Sequence, residues 1–191
     1  MDSEEIYKQA ILFRRWLHRY PEVSTQEFQT QAFVIDVLKE YKIPYKTYGT
    51  GIIATLGEGA DCVALRADMD ALRVQEDTGL PYCSETPGLM HACGHDMHTA
   101  MLLGAAKLLK QNQNEIEGTV KLVFQPDEEG FTGAKAMIEA GVLQNPKVDA
   151  AMAMHVNSGT PSNLVVAGKG TSIGGCFRFR IVVKGVGCHG A

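Results

Sequence analysis

Four short stretches of this chain gather residue types that bind metals or move protons. Asp68-Met69-Asp70 follows an apolar run at 62–66. Met90 through His98 reads MHACGHDMH and sets Cys93 and His95 on either side of Gly94. Gln125 through Gly130 reads QPDEEG and sets Glu128 beside Glu129, after the apolar run 119–124. His155 follows a further apolar run at 148–154. Thiolate, imidazole and carboxylate together suit Zn²⁺ or a similar borderline divalent ion. An extended loop can aim Cys93 and His95 to one side, while Gly94 lets the backbone come close. Adjacent carboxylates on irregular backbone point in different directions. One of Glu128 and Glu129 can therefore bind metal while the other serves as general base on water.

Each feature also has a plainer reading. A buried Cys or a hydrogen-bonded His is common without any metal. Three acids in a row, Asp127 to Glu129, ordinarily form a solvated turn, although Pro126 and Gly130 bracket this one closely. A Cys93 nucleophile is conceivable, but His95 and Asp96 lie too near it in sequence to be taken as its base and orienter. His18 and His98 fall on helical segments and read as structural or exposed. Other chemistries lack their residues. The sequence has no Gly-x-x-x-x-Gly-Lys-Ser/Thr phosphate loop, no Gly-x-Ser-x-Gly elbow, and no His-x-Glu with Pro-Cys-x-x-Cys.

Alternating periodicities define the elements that position these residues. Helical spacing covers 3–20, ending at Pro21, and a Ser24/Glu27 capping box opens a second helix that stops at Ile43-Pro44. Further helices are expected over 98–112 and 132–141. Strands are expected at 51–56, 62–66, 119–124 and 148–154, of which 51–56, 62–66 and 148–154 read as buried. This order predicts an α/β fold, a mixed and largely parallel sheet flanked by helices, with sites in the loops beyond the strand ends. From Phe177 to Lys184 apolar and polar residues alternate, which predicts a strand with one wet face. The glycine-rich stretch at 168–175 suggests a division into 1–170 and 171–191. Roughly twenty residues cannot bury a core of their own. The second part is therefore expected to pair with something else or to continue in a longer design.

Composition narrows the function classes. The 191 residues are 45% hydrophobic and 21% charged, ordinary globular values that exclude disordered and collagen-like chains. Net charge is −4, with 18 basic against 22 acidic residues and no basic cluster longer than Arg14-Arg15. Nucleic acid and anionic membrane are poor partners for such a surface. No apolar run approaches the ~18 residues of a membrane span. The acidic start Met1-Asp2-Ser3-Glu4-Glu5 is unlike a secretory signal, and five scattered cysteines do not form a disulfide framework. A reducing cytoplasm is the expected compartment.

The segments RADMDAL, MHACGHDMHTAMLLGAAKLL, QPDEEGFTGAKAMIEAGVL and AMHV, in that order, resemble the M20 metallopeptidase family. The resemblance is to its amidohydrolase branch, which cleaves N-acyl amino acids, and runs from Arg14 to Ala191. It implies an M20-like catalytic domain and, from 171, the first strand of an inserted α+β dimerisation domain. It implies two divalent ions, zinc or manganese with nickel or cobalt as alternatives, held by Cys93, His95, Glu129 and His155. Glu128 becomes the general acid/base for water, and Asp70 the carboxylate that orients a ligand. His189 resembles the histidine that reaches a partner subunit's site in a homodimer. The substrate class implied is a small N-acyl amino acid.

Departures accompany the likeness. Asp127 stands where the family usually has Ala, and is expected to add negative charge near the metals. Cys188 stands where Gly is usual. Family members are longer, and a further histidine ligand belongs to the part beyond Ala191. The other reading kept open is a truncated or split chain that binds metal or a partner chain without catalysis.

Overall fold

The computed structural model describes residues 2–171 and 179–187. His189 and Cys188 therefore lie outside the described residues. Packing divides the chain into Met1–Val156 and Asn157–Ala191. The first unit holds helices α1 (Ser3–Arg19), α2 (Phe28–Glu40), α3 (His95–Gln111) and α4 (Gly133–Glu139). Its strands are β1 (Tyr45–Tyr48), β2 (Gly51–Glu58), β3 (Cys62–Asp68), β4 (Gly118–Gln125) and β5 (Ala150–Ala153).

The strands form one sheet in the order β1-β2-β4-β3-β5. β4, β3 and β5 run parallel, while β2 is antiparallel to β4 and β1 to β2. The sheet is buried on both faces at its centre. Ile52, Leu122 and Phe124 pack under α2 and α3 with Val34, Leu38 and Leu103. Their neighbours Ile53 and Val123 face the other way, onto Met137 and Val142. Alternate side chains go to opposite faces of a strand, so continuous apolar runs are what such strands need. Full burial of Leu122 or Phe124 stabilises the fold by about 1.5–3 kcal/mol each.

Register sets the site. Asp68 of β3 pairs with Gln125 of β4, and Arg66 pairs with Ala153 of β5. The carboxyl ends of three parallel strands thus lie level, and Asp70, Glu128 and His155 leave from one edge of the sheet. α3 begins above that edge at His95. Loops beyond the carboxyl ends of parallel strands are where α/β sheets build their sites.

Four details differ from what the sequence pattern suggests. Helix α2 begins at Phe28, and Glu27 at its N-cap makes no side-chain capping bond. Ser24 and Glu27 have stronger partners farther along the chain, as the site shows below. β1 was hidden because Tyr45-Lys46-Thr47-Tyr48 has no apolar alternation; it forms as an antiparallel edge against β2. β5 forms where expected but is exposed at all four positions, because it is the sheet's other edge. Residues 179–187 form no strand with the described residues, and Phe179 and Val183 are 85% and 89% exposed. Alternation supplies a strand's side-chain pattern but not the paired neighbour that makes it a strand. Among the described residues no helix is long and apolar enough to cross a membrane.

Candidate metal centre

Asp70 organises the site from below. It is 1% exposed, just beyond β3. Its Oδ2 accepts from Ser24 Oγ at 2.6 Å and from the Glu129 N–H at 3.0 Å. Its Oδ1 accepts from the Glu128 N–H at 3.1 Å and faces His95 Nδ1 at 3.3 Å. Burial works against the charged form, but His95, Ser24 and the two amides hold the carboxyl down to about 2.

Glu27 completes this cradle. It is fully buried, taking Asp127 N–H at 2.9 Å and Thr25 N–H at 3.0 Å on Oε1, and Thr50 Oγ at 2.6 Å on Oε2. Three consecutive amides, at 127, 128 and 129, therefore donate to two buried carboxylates. The loop backbone is fixed, and the Glu128 and Glu129 carboxylates stand beside His95 Nε2. Sequence reasoning read Glu27 as a helix cap; nothing local reveals a partner one hundred residues away. Asp127 is engaged within the loop itself. It sits at φ +51°, buried, and its carboxylate accepts from Thr132 Oγ inside the loop. It is not among the described groups clustered at ligand distance.

Both candidate histidine ligands have the same internal arrangement. His95 Nδ1 donates to the Asp70 carbonyl at 2.8 Å, and His155 Nδ1 donates to the Val156 carbonyl at 2.6 Å. Each ring therefore carries its proton on Nδ1 and turns Nε2 toward the cluster. His95 Nε2 is buried and has no hydrogen-bond partner among the described residues. Around it stand Asp68 Oδ2 at 3.6 Å, Glu128 Oε2 at 3.9 Å and Glu129 Oε1 at 4.0 Å. Cys93 Sγ lies 3.5 Å from His155 Nε2. Cys93, His95 and His155 can converge on one point, as can His95, Glu128 and Glu129.

The donor set fits a divalent cation. Imidazole anchored through Nδ1 with Nε2 presented is how metal-binding histidines are usually held. Burial, then Glu129, push the Cys93 thiol up to about 12, and burial with Glu129 also raises the Glu128 carboxyl. A cation among these groups favours the thiolate and both carboxylates, inverting that trend. Cys93, His95, Glu128, Glu129, Asp70 and His155 are thus brought together. Asp68 joins them, a residue the sequence placed in the loop without giving it a role.

A second buried network braces the start of α3 from behind. Asp96 Oδ2 accepts from His18 Nδ1 at 2.7 Å and forms an ion pair with the Arg14 guanidinium, whose Nε lies 2.9 Å away. His18 Nε2 reaches Glu76 Oε1 at 3.1 Å, and Glu76 also accepts from Ser84 N–H at 2.6 Å and from Thr78 Oγ. The loop from Leu72 to Met90, closed by mutual backbone bonds at 3.0 Å, is fastened to α1 and α3 in this way. Asp96 raises the His18 pKa above 6.5, against the pull of burial, and Glu76 is held at about 2 by Ser84, Thr78 and His18 despite burial. His18 contributes fully below pH 6.5 and less as pH climbs through its raised value. Glu76 contributes fully above 4.5, and that contribution disappears as pH falls toward 2. The pair is strongest between pH 4.5 and 6.5. Glu76→Gln should therefore lose about 1–2 kcal/mol less than wild type on acidification from pH 5 to 3, in urea melts at each pH. Parallel acid limbs would show that the Glu76 contacts contribute nothing.

Comparison with known proteins places these observations. A profile described as peptidase family M20/M25/M40 matches residues 64–182. The N-acetyl-L-cysteine deacetylase of Bacillus subtilis (strain 168) is 44% identical over 188 residues, covering 96% of this chain and 45% of that protein. The IAA-amino acid hydrolase ILR1-like 5 of Arabidopsis thaliana is 45% identical over 191 residues, covering 98% and 43%. Among solved structures, the Bacillus subtilis YXEP protein, described as a dinuclear metal binding peptidase, superimposes with a TM-score of 0.79 at 44% identity. That match covers 83% of this chain and 45% of that one. The chain spans less than half the length of these relatives.

Proposed function

The chain belongs to peptidase family M20/M25/M40, and from that membership we propose that it carries most of the metal centre of an amidohydrolase acting on N-acyl amino acids. One observation carries the reading. His95 and His155 are both tied through Nδ1 to backbone carbonyls, and their Nε2 atoms meet Cys93 and the Glu128-Glu129 pair. The names of the deacetylase and of the IAA-amino acid hydrolase support the substrate class. Residues 1–170 are read as the metal-binding part of the catalytic domain. Residues 171–191 are read as the start of an inserted element through which a homodimer would form, bringing His189 to a partner's site.

Cys93, His95, Glu129 and His155 would hold the ions, of which zinc and manganese are the first choices and nickel and cobalt the next. A bound divalent ion polarises an amide carbonyl and makes water more acidic. Glu128 takes the proton from the attacking water and returns it to the departing amine. Its backbone N–H is held by Asp70, so its carboxylate moves only through its own side-chain torsions. Asp70 meanwhile keeps His95 in the tautomer that presents Nε2.

The test is an assay of the folded 191-residue chain on N-acetyl and N-benzoyl amino acids, with Zn²⁺ or Mn²⁺ added and Glu128→Ala as the blank. Release of free amino acid above the blank is the expected result. Folded chain that takes up metal yet releases none favours the second reading, a chain that binds metal or a partner chain without turnover.

A further inference from the structure

We propose that His98 is a positioning residue, holding the His155–Val156 segment on the first turn of α3 through an imidazole bridge from Asp68 to the Val156 amide. The inference rests on the metal-centre reading above and adds to it the means by which an exposed ligand is kept in place.

The need is visible in β5. Its ladder with β3 ends at the Arg66–Ala153 pair, and its four residues are all exposed. His155, two residues farther on, is itself exposed. Burial therefore does little to fix this ligand. His98, by contrast, is 3% exposed and lies one helical turn after His95. Its Nε2 lies 3.0 Å from the Val156 nitrogen. An amide N–H can only donate, so Nε2 must accept and the ring proton sits on Nδ1. That proton is directed to Asp68 Oδ1 at 2.6 Å. Asp68 is fixed in turn by Arg66 Nη1 on Oδ2 at 2.7 Å and by Thr99 Oγ on its carbonyl at 2.8 Å.

Two further observations agree. A Cβ on Gly94 would collide with Val156 Cγ2, so the left-handed turn between Cys93 and His95 is also the notch that seats Val156. The His98 and His155 rings pack edge-on, with centroids 4.5 Å apart. With both nitrogens engaged, His98 has no lone pair left for an ion. Its place beside Asp68 and His95 is that of a strut rather than a ligand.

The test is a Co²⁺ titration of the full 191-residue chain, followed by the thiolate charge-transfer band and the d–d bands, with amide exchange at Val156 read in parallel. Asn at position 98 keeps a donor for Asp68 but ends short of Val156, whereas Gln restores an acceptor. His98→Asn should weaken Co²⁺ binding about 10–100-fold and expose the Val156 amide, with His98→Gln returning toward wild type. In a His155→Ala background, His98→Asn should add almost nothing, because the ligand it positions is gone. Wild-type affinity in His98→Asn, or the same loss with and without His155, would overturn the proposal. If His98→Asn does not fold, His98→Gln decides: a folded Gln variant that loses Co²⁺ overturns the bridge, and one that keeps it upholds the bridge. A wild-type chain that takes up no Co²⁺ removes the metal reading. Val156 exchange then still decides whether His98 holds the segment, slow in wild type and fast in His98→Asn if it does.

Discussion

Glu128→Gln should lower amide hydrolysis by about 10²–10⁴-fold, the usual worth of a positioned general base, while metal per chain stays at the wild-type level. The two adjacent glutamates divide the work by what each side chain touches. The Glu129 carboxylate raises the Cys93 thiol and stands 4.0 Å from His95 Nε2, which ties it to the candidate ligands. Glu128 is the more open of the two, its side chain 36% exposed against 25%. Gln matches Glu in size and keeps the backbone bond to Asp70, so only the proton acceptor is lost. Glu129→Gln should behave differently, with metal content falling together with rate. Turnover measured alongside metal analysis separates the two. Retained turnover in Glu128→Gln, or metal lost in step with it, removes Glu128 from the base role.

Most of the site's donor atoms could be read from the sequence because their types are rare and sit just after apolar runs. Glu128, Glu129 and His155 follow this rule and parallel register carries them to one edge, while Cys93 and His95 stand out by the density of donor types in MHACGHDMH, where α3 begins. The supporting shell was less legible. Glu27, Ser24, Asp68 and His98 look like a cap, a cap, a loop acid and a helix histidine when only local spacing is considered. Their roles come from partners 23 to 100 residues away, to which helical or strand periodicity is blind. Asp127 shows a related limit. Its type and position suggested added charge near the metals, and nothing local revealed the positive φ and the Thr132 bond that engage its carboxylate. The edge strands show a third kind of limit. β1 has no apolar signal, and β5 has one that is not buried, because edge position is a property of the whole sheet.

Asp70 is the residue whose loss should damage both fold and site. Asp70→Ala leaves Ser24 Oγ and the amides of Glu128 and Glu129 without their shared buried acceptor and removes the charge beside His95 Nδ1, which keeps its bond to the residue-70 carbonyl. Each unsatisfied donor costs about 1–3 kcal/mol, though relaxation and entering water keep such costs from adding in full. A net loss of about 3–5 kcal/mol is expected, comparable to breaking a buried ion pair and a large share of an ordinary domain's stability. Asp70→Asn is the sharper probe. It keeps the volume and one acceptor oxygen, but its amide group must face a donor, and the charge that holds His95 Nδ1 is gone. His95 is then held only by its bond to the residue-70 carbonyl, and metal affinity should fall about 10–100-fold even where the chain remains folded. Asp127→Asn is the matched control, an equally buried acid in the same loop region whose carboxylate is engaged with Thr132. It should bind metal within a small factor of wild type. Urea melts of all three variants, with Zn²⁺ titrations of the two asparagine variants, make the comparison. Equal metal affinity in Asp70→Asn and Asp127→Asn, or an Asp70→Ala loss under about 0.5 kcal/mol, would mean that the cradle beneath the two glutamates is not what orders the centre.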